Sequence, residues 1–246
     1  FSIHLLSATL SEPFLLAQRY VDEFEVIEVD EERRIDYNIL SSLEEMYFLV
    51  KKRGWRKLLC FCNMRESVER VSAELAQLWH PYPVVVHHGS LSRWVREEAE
   101  RVMKEANVAI CVATSTLEIG IDIGDIDMII QYMSPRQVTK LLQRIGRSGH
   151  KIGDISRGKI ITINEEDCLE AISITMFLKE GKLEKYKAYV SAFDVLLHQI
   201  IGLILEGINS LKEIYEIVKK SYVFRNLKID EIFEIVKIAE ILGYIR

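Results

Sequence analysis

Short apolar runs alternate with longer amphipathic stretches along residues 24–179. The apolar runs have the length of β-strands and are rich in Val and Ile, whereas the stretches between them repeat their apolar positions with helical spacing. Strands that alternate with helices are typical of a parallel β-sheet covered by helices on its faces. The pattern therefore predicts an α/β domain in this part of the chain.

The bounds of the predicted elements follow from the apolar runs and from capping residues. Strands are predicted at residues 26–29, 58–62, 84–87, 108–113, 128–132 and 159–163. Helices are predicted at residues 43–52, 66–79, 93–104, 137–145 and 165–178. The first helix follows Ser41 and Ser42, which are good N-cap residues, and ends at Gly54, a residue type common just beyond a helix.

The composition changes after residues 179–185, where glycine and charged residues mark a domain boundary. Beyond it strand signals are almost absent, and helices are predicted at residues 192–205, 210–220 and 229–242. Three short helices followed by a hairpin would form a winged helix, a fold often used against nucleic acid. A plain helical bundle is the alternative, and the chain ends before a hairpin could be completed. We predict an α/β domain at residues 31–185 and a truncated, winged-helix-like domain at residues 186–246.

Hydrophobic residues make up 49% of the 246 residues and charged residues 28%, which is the balance of a folded globular protein. No apolar run reaches the roughly 18 residues that span a bilayer, and the first ten residues lack the features of a signal peptide. We therefore expect a cytoplasmic protein with no membrane partner.

The cysteines are Cys60, Cys62, Cys111 and Cys168. They lie in apolar stretches without paired C-x-x-C spacing, so buried thiols are expected and no metal site.

A net charge of −5 argues weakly against a nucleic-acid partner, but the charge is not evenly distributed. Residues 136–159 contain seven basic residues opposed only by Asp154: Arg136, Lys140, Arg144, Arg147, Lys151, Arg157 and Lys159. A solvated helix face explains many such runs. Glycines that interrupt this one, at 146, 149, 153 and 158, make it more suited to gripping phosphate.

The segment QRIGRSGH, residues 143–150, is the most informative. On a helix, Arg144 and Arg147 would project from one face and could converge on one anion. Gly146 and Gly149 remove side chains where a backbone or a phosphate must approach closely. The spacing therefore predicts an anion site, with a surface salt-bridge pair as the alternative.

Two further segments follow predicted strands, so they fall at the carboxyl edge of the sheet, where open sheets bind ligands. ATSTLEIGIDIGDID, residues 113–127, offers hydroxyls that can hold phosphates and aspartates that can bind a sugar hydroxyl or cap a turn. HHGSLSR, residues 87–93, opens a helix that Ser90 or Ser92 would cap. Its free amides and Arg93 would suit a backbone phosphate. Adjacent histidines on a strand point to opposite faces, which disfavours a shared metal.

In this order and spacing the segments resemble motifs III to VI of superfamily 2 helicases. The resemblance rests on SAT (residues 7–9), LLCFCNMRE, HHGSLSR, T-x-x-L-E-x-G-I-D-I-G and Q-R-x-G-R-x-G-H. SPRQVTKLLQRIGRSGH and FDVLLHQIIG resemble the large helicase-related (Lhr) family most closely. The resemblance covers most of the chain and implies a RecA-like parallel sheet flanked by helices. It also implies that residues 1–30 connect to a first motor domain.

The resemblance implies roles for individual residues in nucleotide chemistry. Arg147 is similar to the arginine finger that stabilises charge on the γ-phosphate, with Arg144 as its partner on phosphate and Gln143 nearby. Gly120 and Asp122 resemble the pair that approaches the nucleotide ribose.

Other residues resemble contacts to the nucleic-acid strand or coupling elements. The expected strand contacts are Asn63, Arg65, His88, Gly89, Ser90, Arg93, Thr114 and Ser115. Ser7 and Thr9 resemble the segment that couples hydrolysis to strand movement.

A complete motor also needs a G-x-x-x-x-G-K-[ST] loop for phosphates and an acidic D-E-x-H motif for magnesium, and these 246 residues contain neither. We therefore expect that ATP with Mg²⁺ is held by a first RecA-like domain of the same protein and that this chain alone does not hydrolyse ATP. The expected partner is single-stranded or branched DNA, with an RNA–DNA hybrid also open. A non-catalytic nucleic-acid-binding or regulatory module and an RNA helicase are the alternatives, because such motifs contact the backbone and do not read bases.

Overall fold

A computed structural model describes residues 4–7, 9–28, 34–118, 121–149, 155–185 and 189–245. The chain divides into two compact units. The first comprises Phe1–Ser11 and Glu28–Glu184, and the second comprises Glu12–Ile27 and Lys185–Arg246. What the segment before residue 31 connects to stays a prediction.

The first unit is built on a sheet whose strands, in the described residues, are all parallel. The strands are β1 (Ile35–Leu40), β2 (Lys57–Cys62), β3 (Val84–His87), β4 (Ala109–Ala113), β5 (Met128–Tyr132) and β6 (Ser156–Ile161). Their order across the sheet is β1-β6-β5-β2-β4-β3. Because all strands run the same way, the residues that follow each strand lie at one edge, called here the carboxyl edge.

Helices cover both faces of this sheet, as the alternating pattern predicts. They are α2 (Leu43–Arg53), α3 (Arg65–Trp79), α4 (Arg93–Glu105), α5 (Val138–Ile145) and α6 (Glu165–Lys179). Buried side chains of α2 and α3 pack on one face with Leu58 and Ile130, while Met103 of α4 packs on the other face with Leu59 and Ile129. The α/β fold prediction is confirmed.

One strand was predicted in the wrong place. Val26, Ile27 and Glu28, the described part of the strand predicted at 26–29, form no strand, and the side chain of Ile27 is 80% exposed. The edge strand β1 lies further along the chain and pairs with β6. Its sequence, IDYNIL, places polar residues at alternate positions, so it lacks the continuous apolar run of the central strands.

The second unit contains a short helix, α1 (Pro13–Ala17), and three longer helices: α7 (Phe193–Leu205), α8 (Leu211–Val218) and α9 (Ile229–Ile241). The longer helices lie where the sequence predicted them, and they bury an apolar core that includes Leu196, Ile214 and Ile232. The described residues of this unit contain no strand. The wing therefore stays a prediction.

Candidate nucleotide and nucleic-acid interface

Three of the predicted strand-contact segments follow neighbouring strands. Asn63 and Arg65 follow β2, His88 to Ser90 follow β3, and Thr114 and Ser115 follow β4. These strands are adjacent in the sheet, so the three segments meet along one half of the carboxyl edge. We call this set of segments the strand row.

Hydrogen bonds tie the strand row together. The guanidinium of Arg65 donates to the hydroxyl of Ser90, and the amide of Thr114 donates to the carbonyl of His87 at 3.2 Å. Ser90 and Ser115 are exposed. The row therefore brings together side chains from three sequence-distant segments on an accessible surface.

Helix α4 begins at the end of the strand row. Ser92 is its N-cap, with its hydroxyl accepting from the amide of Val95 at 3.4 Å, so Ser92 and not Ser90 is the cap. Arg93 is the first helical residue, is 86% exposed and pairs with Glu97 at 2.6 Å. Gly89 is exposed as well, and a Cβ added there would meet nothing within 4 Å.

His88 differs from the other members of the row because its ring is buried. Its Nε2 lies 2.8 Å from a carboxylate oxygen of Glu69, and the residue is only 5% exposed. His87, also buried, contacts Thr116 at 2.8 Å and Glu100 at 3.2 Å. The expectation that the His88 side chain faces a bound strand finds no support in this geometry, because the ring faces the protein.

The other half of the carboxyl edge is centred on Arg144, near the end of α5, which packs against β5 and β6. The side chain of Arg144 is 3% exposed. Its Nε and Nη2 lie 2.7 and 2.5 Å from the same carboxylate oxygen of Glu118. Its Nη1 donates to Gln131 at 2.6 Å and to Asn63 at 3.1 Å. Arg144 is thus turned into the protein.

Arg147 lies beyond the helix. Helix α5 ends at Ile145, with Gly146 as its C-cap, so the two arginines do not share a helical face as the spacing predicted. Arg147 is partly exposed, and its Nε and Nη2 donate to the backbone carbonyl of Glu118 at 3.0 and 2.5 Å. The arginines do converge, but on the carboxylate and the carbonyl of one glutamate.

The coupling residues lie beside this cluster. The side-chain amide of Gln143 donates to the hydroxyl of Thr9 at 3.1 Å, and the amide of Thr9 donates to the hydroxyl of Ser7 at 3.3 Å. The predicted SAT segment therefore contacts the predicted Q-R-x-G-R segment directly.

Asp122 is not brought to the arginines. Its carboxylate accepts from the amide of Gly124 at 3.0 Å and pairs with Lys104 at 3.2 Å. The carbonyl of Lys104 accepts from the side chain of Lys57, the first residue of β2, so this group lies toward the opposite edge of the sheet. The turn-capping alternative fits Asp122. Gly120 lies outside the described residues.

The basic residues that the structure describes between 136 and 159 do not all lie on one positive surface. Arg136 pairs with Glu170 at 2.9 Å, and Lys159, which is 3% exposed, contacts Asn38 at 2.7 Å and Asp36 at 3.4 Å on β1. Burial lowers the pKa of Lys159, and Asp36 opposes that effect. Two of the charges predicted to bind phosphate, Arg144 and Lys159, therefore face inward.

Gly158 has a packing role and not the phosphate role that the sequence suggested. A Cβ at this position of β6 would lie 2.6 Å from Cγ1 of Ile145, which is closer than atoms approach without displacement. The glycine lets α5 lie close to the sheet, which sets the position of the arginines.

Sequence reasoning missed two residues that fix this region. Glu184 caps the start of α5, where its carboxylate oxygens accept from the amides of Val138 at 2.5 Å and Thr139 at 3.0 Å. Gln131 binds Arg144 with its oxygen and the carbonyl of Met133 with its nitrogen. The contacts of Glu184 with α5 and of Gln131 with Arg144 join residues 13 or more positions apart, so no local spacing signals them.

The expectation of buried thiols holds for Cys60, Cys62 and Cys111, whereas Cys168 is only partly buried. The hydrogen bond with Cys62 and burial raise the pKa of Cys60, and burial raises that of Cys111. In the described part of the chain, no group of three metal-ligating side chains was found, and no helix is long and apolar enough to cross a bilayer.

Residues 38–151 match the family model of the helicase conserved C-terminal domain. The ATP-dependent helicase Lhr-Core of Methanocaldococcus jannaschii is 35% identical over 84% of this chain and 24% of its own length. The Lhr-Core of Sulfolobus acidocaldarius is 30% identical over 92% of this chain and 28% of its own length. The chain thus spans about a quarter of the length of these relatives.

Solved structures agree on the fold. The Mycobacterium smegmatis helicase Lhr bound to ssDNA and AMP-PNP superimposes with a TM-score of 0.72 at 24% identity, over 83% of this chain and 29% of that one. The DUF1998 helicase MrfA bound to DNA gives 0.62 at 17% identity, over 78% and 29%. Fold, family model and relatives together define a RecA-like C-terminal helicase domain of superfamily 2. Within that class, the chain belongs to the large helicase-related (Lhr) family.

Proposed function

We propose that this chain is the second motor domain, with the start of a helical domain, of an ATP-dependent DNA helicase. The relatives are named ATP-dependent helicases, which supports ATP as the nucleotide that the intact protein hydrolyses. The observation that carries the proposal is that Arg144 and Arg147 converge on Glu118, which follows β4 and its 3₁₀ turn, while the neighbouring Gln143 contacts Thr9. The family resemblance implies that Arg147 faces a nucleotide and that the segment of Thr9 is a coupling segment, and a domain that only bound nucleic acid would have no use for either.

In this proposal Arg147 is the arginine finger, which would engage the γ-phosphate when the nucleotide-holding domain closes on this edge. Its partial exposure supports the role, because the guanidinium can reach a group outside the domain. Gln143, through Thr9 and Ser7, would link that closure to strand movement. The Asp122 and Gly120 contacts to ribose rest on the family resemblance alone.

ATP would be bound with Mg²⁺, and we propose that the first RecA-like domain of the same protein holds both. The described residues fit half of such a site: they offer cationic donors for phosphate but no cluster of carboxylates for the metal. On this basis the chain alone does not hydrolyse ATP. The cytoplasmic location of the protein is part of the same proposal.

DNA is the proposed partner, either as a single strand or as a branched duplex. Support comes from the structural neighbours that are bound to ssDNA or DNA. Arg65, Ser90, Arg93, Thr114 and Ser115 supply cationic, hydroxyl and amide donors that suit backbone phosphates. Backbone contacts do not distinguish DNA from RNA, so competition among DNA, RNA and an RNA–DNA hybrid for the full-length protein is the decisive measurement. Preferential binding of RNA would replace the DNA assignment by an RNA helicase.

Arg147→Ala in the full-length protein tests the motor assignment. We expect kcat for strand-stimulated ATP hydrolysis to fall by about 10³-fold or more, the usual effect of removing an arginine finger. Strand binding should stay near its original affinity. Arg101→Ala is the matched control, because Arg101 is exposed on α4 and its ion pairs in the described residues are with Glu98 and Glu105 of the same helix. Unchanged ATP turnover in Arg147→Ala would remove the finger assignment.

A further inference from the structure

In the described residues, both arginines of the QRIGRSGH segment converge on Glu118. Its carboxylate receives Arg144 and its backbone carbonyl receives Arg147. The side chain of Glu118 is 11% exposed, so the ion pair with Arg144 lies in a largely dry environment. Glu118 follows the 3₁₀ turn Ser115–Leu117, which continues from the strand row.

Arg144 is already engaged within the protein, and its side chain is only 3% exposed. Each nitrogen of its guanidinium is engaged by Glu118, Gln131 or Asn63, and its carbon lies 5.2 Å above the ring of Phe61. A phosphate ligand would have to displace a buried carboxylate that is bound through two nitrogens. Breaking a buried ion pair by removing one partner is strongly unfavourable. Direct contact between Arg144 and nucleotide is therefore disfavoured.

The position of Arg147 depends on Glu118. A backbone carbonyl holds a guanidinium in a defined place only if the carbonyl itself is fixed. The side chain of Glu118 is fixed by Arg144, and Arg144 is fixed in turn by Gln131 of β5 and by Asn63 after β2. The chain of contacts thus runs from the sheet to Arg147.

We propose that Glu118 and Arg144 are positioning residues for Arg147. The Arg144–Glu118 ion pair anchors the carbonyl that orients the finger, and Asn63 connects the same anchor to the strand row. This inference rests on the proposed function of Arg147 and assigns to Arg144 a role different from phosphate binding.

The test is a double-mutant cycle in the full-length helicase with Glu118→Gln, Arg147→Ala and the combination. Glu118→Gln keeps the shape and the backbone carbonyl but removes the charge that holds Arg144. We expect kcat to fall by about 10²-fold, the effect of displacing a catalytic group by about 1 Å. KM for ATP should change little, because the finger acts in the transition state.

The combined variant separates positioning from general damage. If Glu118 acts through Arg147, the double variant should be no slower than Arg147→Ala alone. Multiplying losses would overturn the inference while leaving the finger assignment intact. No loss in Arg147→Ala itself would instead overturn the proposed function, so the two failures are distinct.

A second variant tests whether a loss of kcat reflects a loss of folding stability. Glu118→Leu combined with Arg144→Met replaces the buried pair by apolar side chains, which proteins often tolerate without loss of stability. We expect this variant to melt near the temperature of the native protein and still to show the reduced kcat. Full recovery of kcat in a stably folded double variant would show that the pair serves stability only.

Discussion

The two halves of the carboxyl edge are built on different principles. The side chain of Arg144 is 3% exposed and is engaged by Glu118, Gln131 and Asn63, whereas Arg93, at the start of α4 beside the strand row, is 86% exposed and its ion pair with Glu97 lies in solvent. Exposed pairs are weak because water and salt screen them. Buried pairs are held firmly because an unpartnered buried charge is costly.

This difference fits the demands of the two proposed tasks. An arginine finger must reach one atom in one geometry, so its supports have to be rigid before the nucleotide arrives. Strand contacts must release and re-form as a strand moves, and exposed donors that bind backbone phosphate permit that. The edge therefore combines a fixed half with an adaptable half.

The largest expected effect is on stability and comes from removing one buried partner. Arg144→Met leaves the carboxylate of Glu118 buried without its cation, which should cost roughly 3–5 kcal/mol of unfolding free energy. Arg93→Met, the matched change in the exposed half, should leave stability within experimental error. Urea unfolding followed by tryptophan fluorescence measures both, because Trp55, Trp79 and Trp94 all lie in the α/β unit. Equal effects from the two variants would erase the distinction between the halves.

A smaller effect is expected on strand binding. Here the variants of the exposed arginines should have the larger effect and Arg144→Met the smaller one. Removing Arg65 or Arg93 by alanine should reduce the slope of log affinity against log salt by about 1 for each lost phosphate contact. Arg144→Met should leave that slope unchanged. Fluorescence anisotropy with a labelled DNA strand, at several salt concentrations and with the full-length protein, gives the slopes. A slope that does not change in Arg65→Ala and Arg93→Ala would remove these residues from the proposed strand contacts.

Much of this arrangement was accessible from sequence because central strands of a parallel sheet are continuous apolar runs. LLCFC, AICVA and MIIQY lie fully in the core, so their positions and the loops after them followed directly. The edge strand β1 was missed because an edge strand carries polar residues: Asn38 and Asp36 contact buried Lys159.

The partners of the arginines were not accessible in the same way. The spacing of Arg144 and Arg147 indicated convergence but not its target, because Glu118 lies 26 residues before Arg144. The residues next to a basic side chain in the sequence also do not indicate whether it faces solvent or a buried carboxylate. The inward orientation of Arg144, Lys159 and His88 depends on long-range packing that only the folded chain reveals.

The smallest effect concerns the start of α5, whose end carries Arg144. Burial raises the pKa of Glu184, but hydrogen bonds from the amides of Thr139 and Val138 outweigh it, so that the pKa lies below its usual value. A carboxylate with a lowered folded-state pKa stabilises the fold above the unfolded-state pKa of about 4.3, and this contribution is lost as the pH falls through the folded-state pKa.

Glu184→Gln keeps an acceptor oxygen but removes the charge that favours a helix N-terminus. Because Glu184 is exposed and screened, we expect a loss of roughly 0.3–1 kcal/mol at neutral pH. The difference from the native chain should shrink as the pH falls through the lowered folded-state pKa of Glu184, below which the native carboxyl is protonated as well. Urea unfolding at neutral and acidic pH measures both values. A difference that stays constant over this range would mean that α5 is anchored by the buried pair around Arg144 alone, with no contribution from the charge at its exposed end.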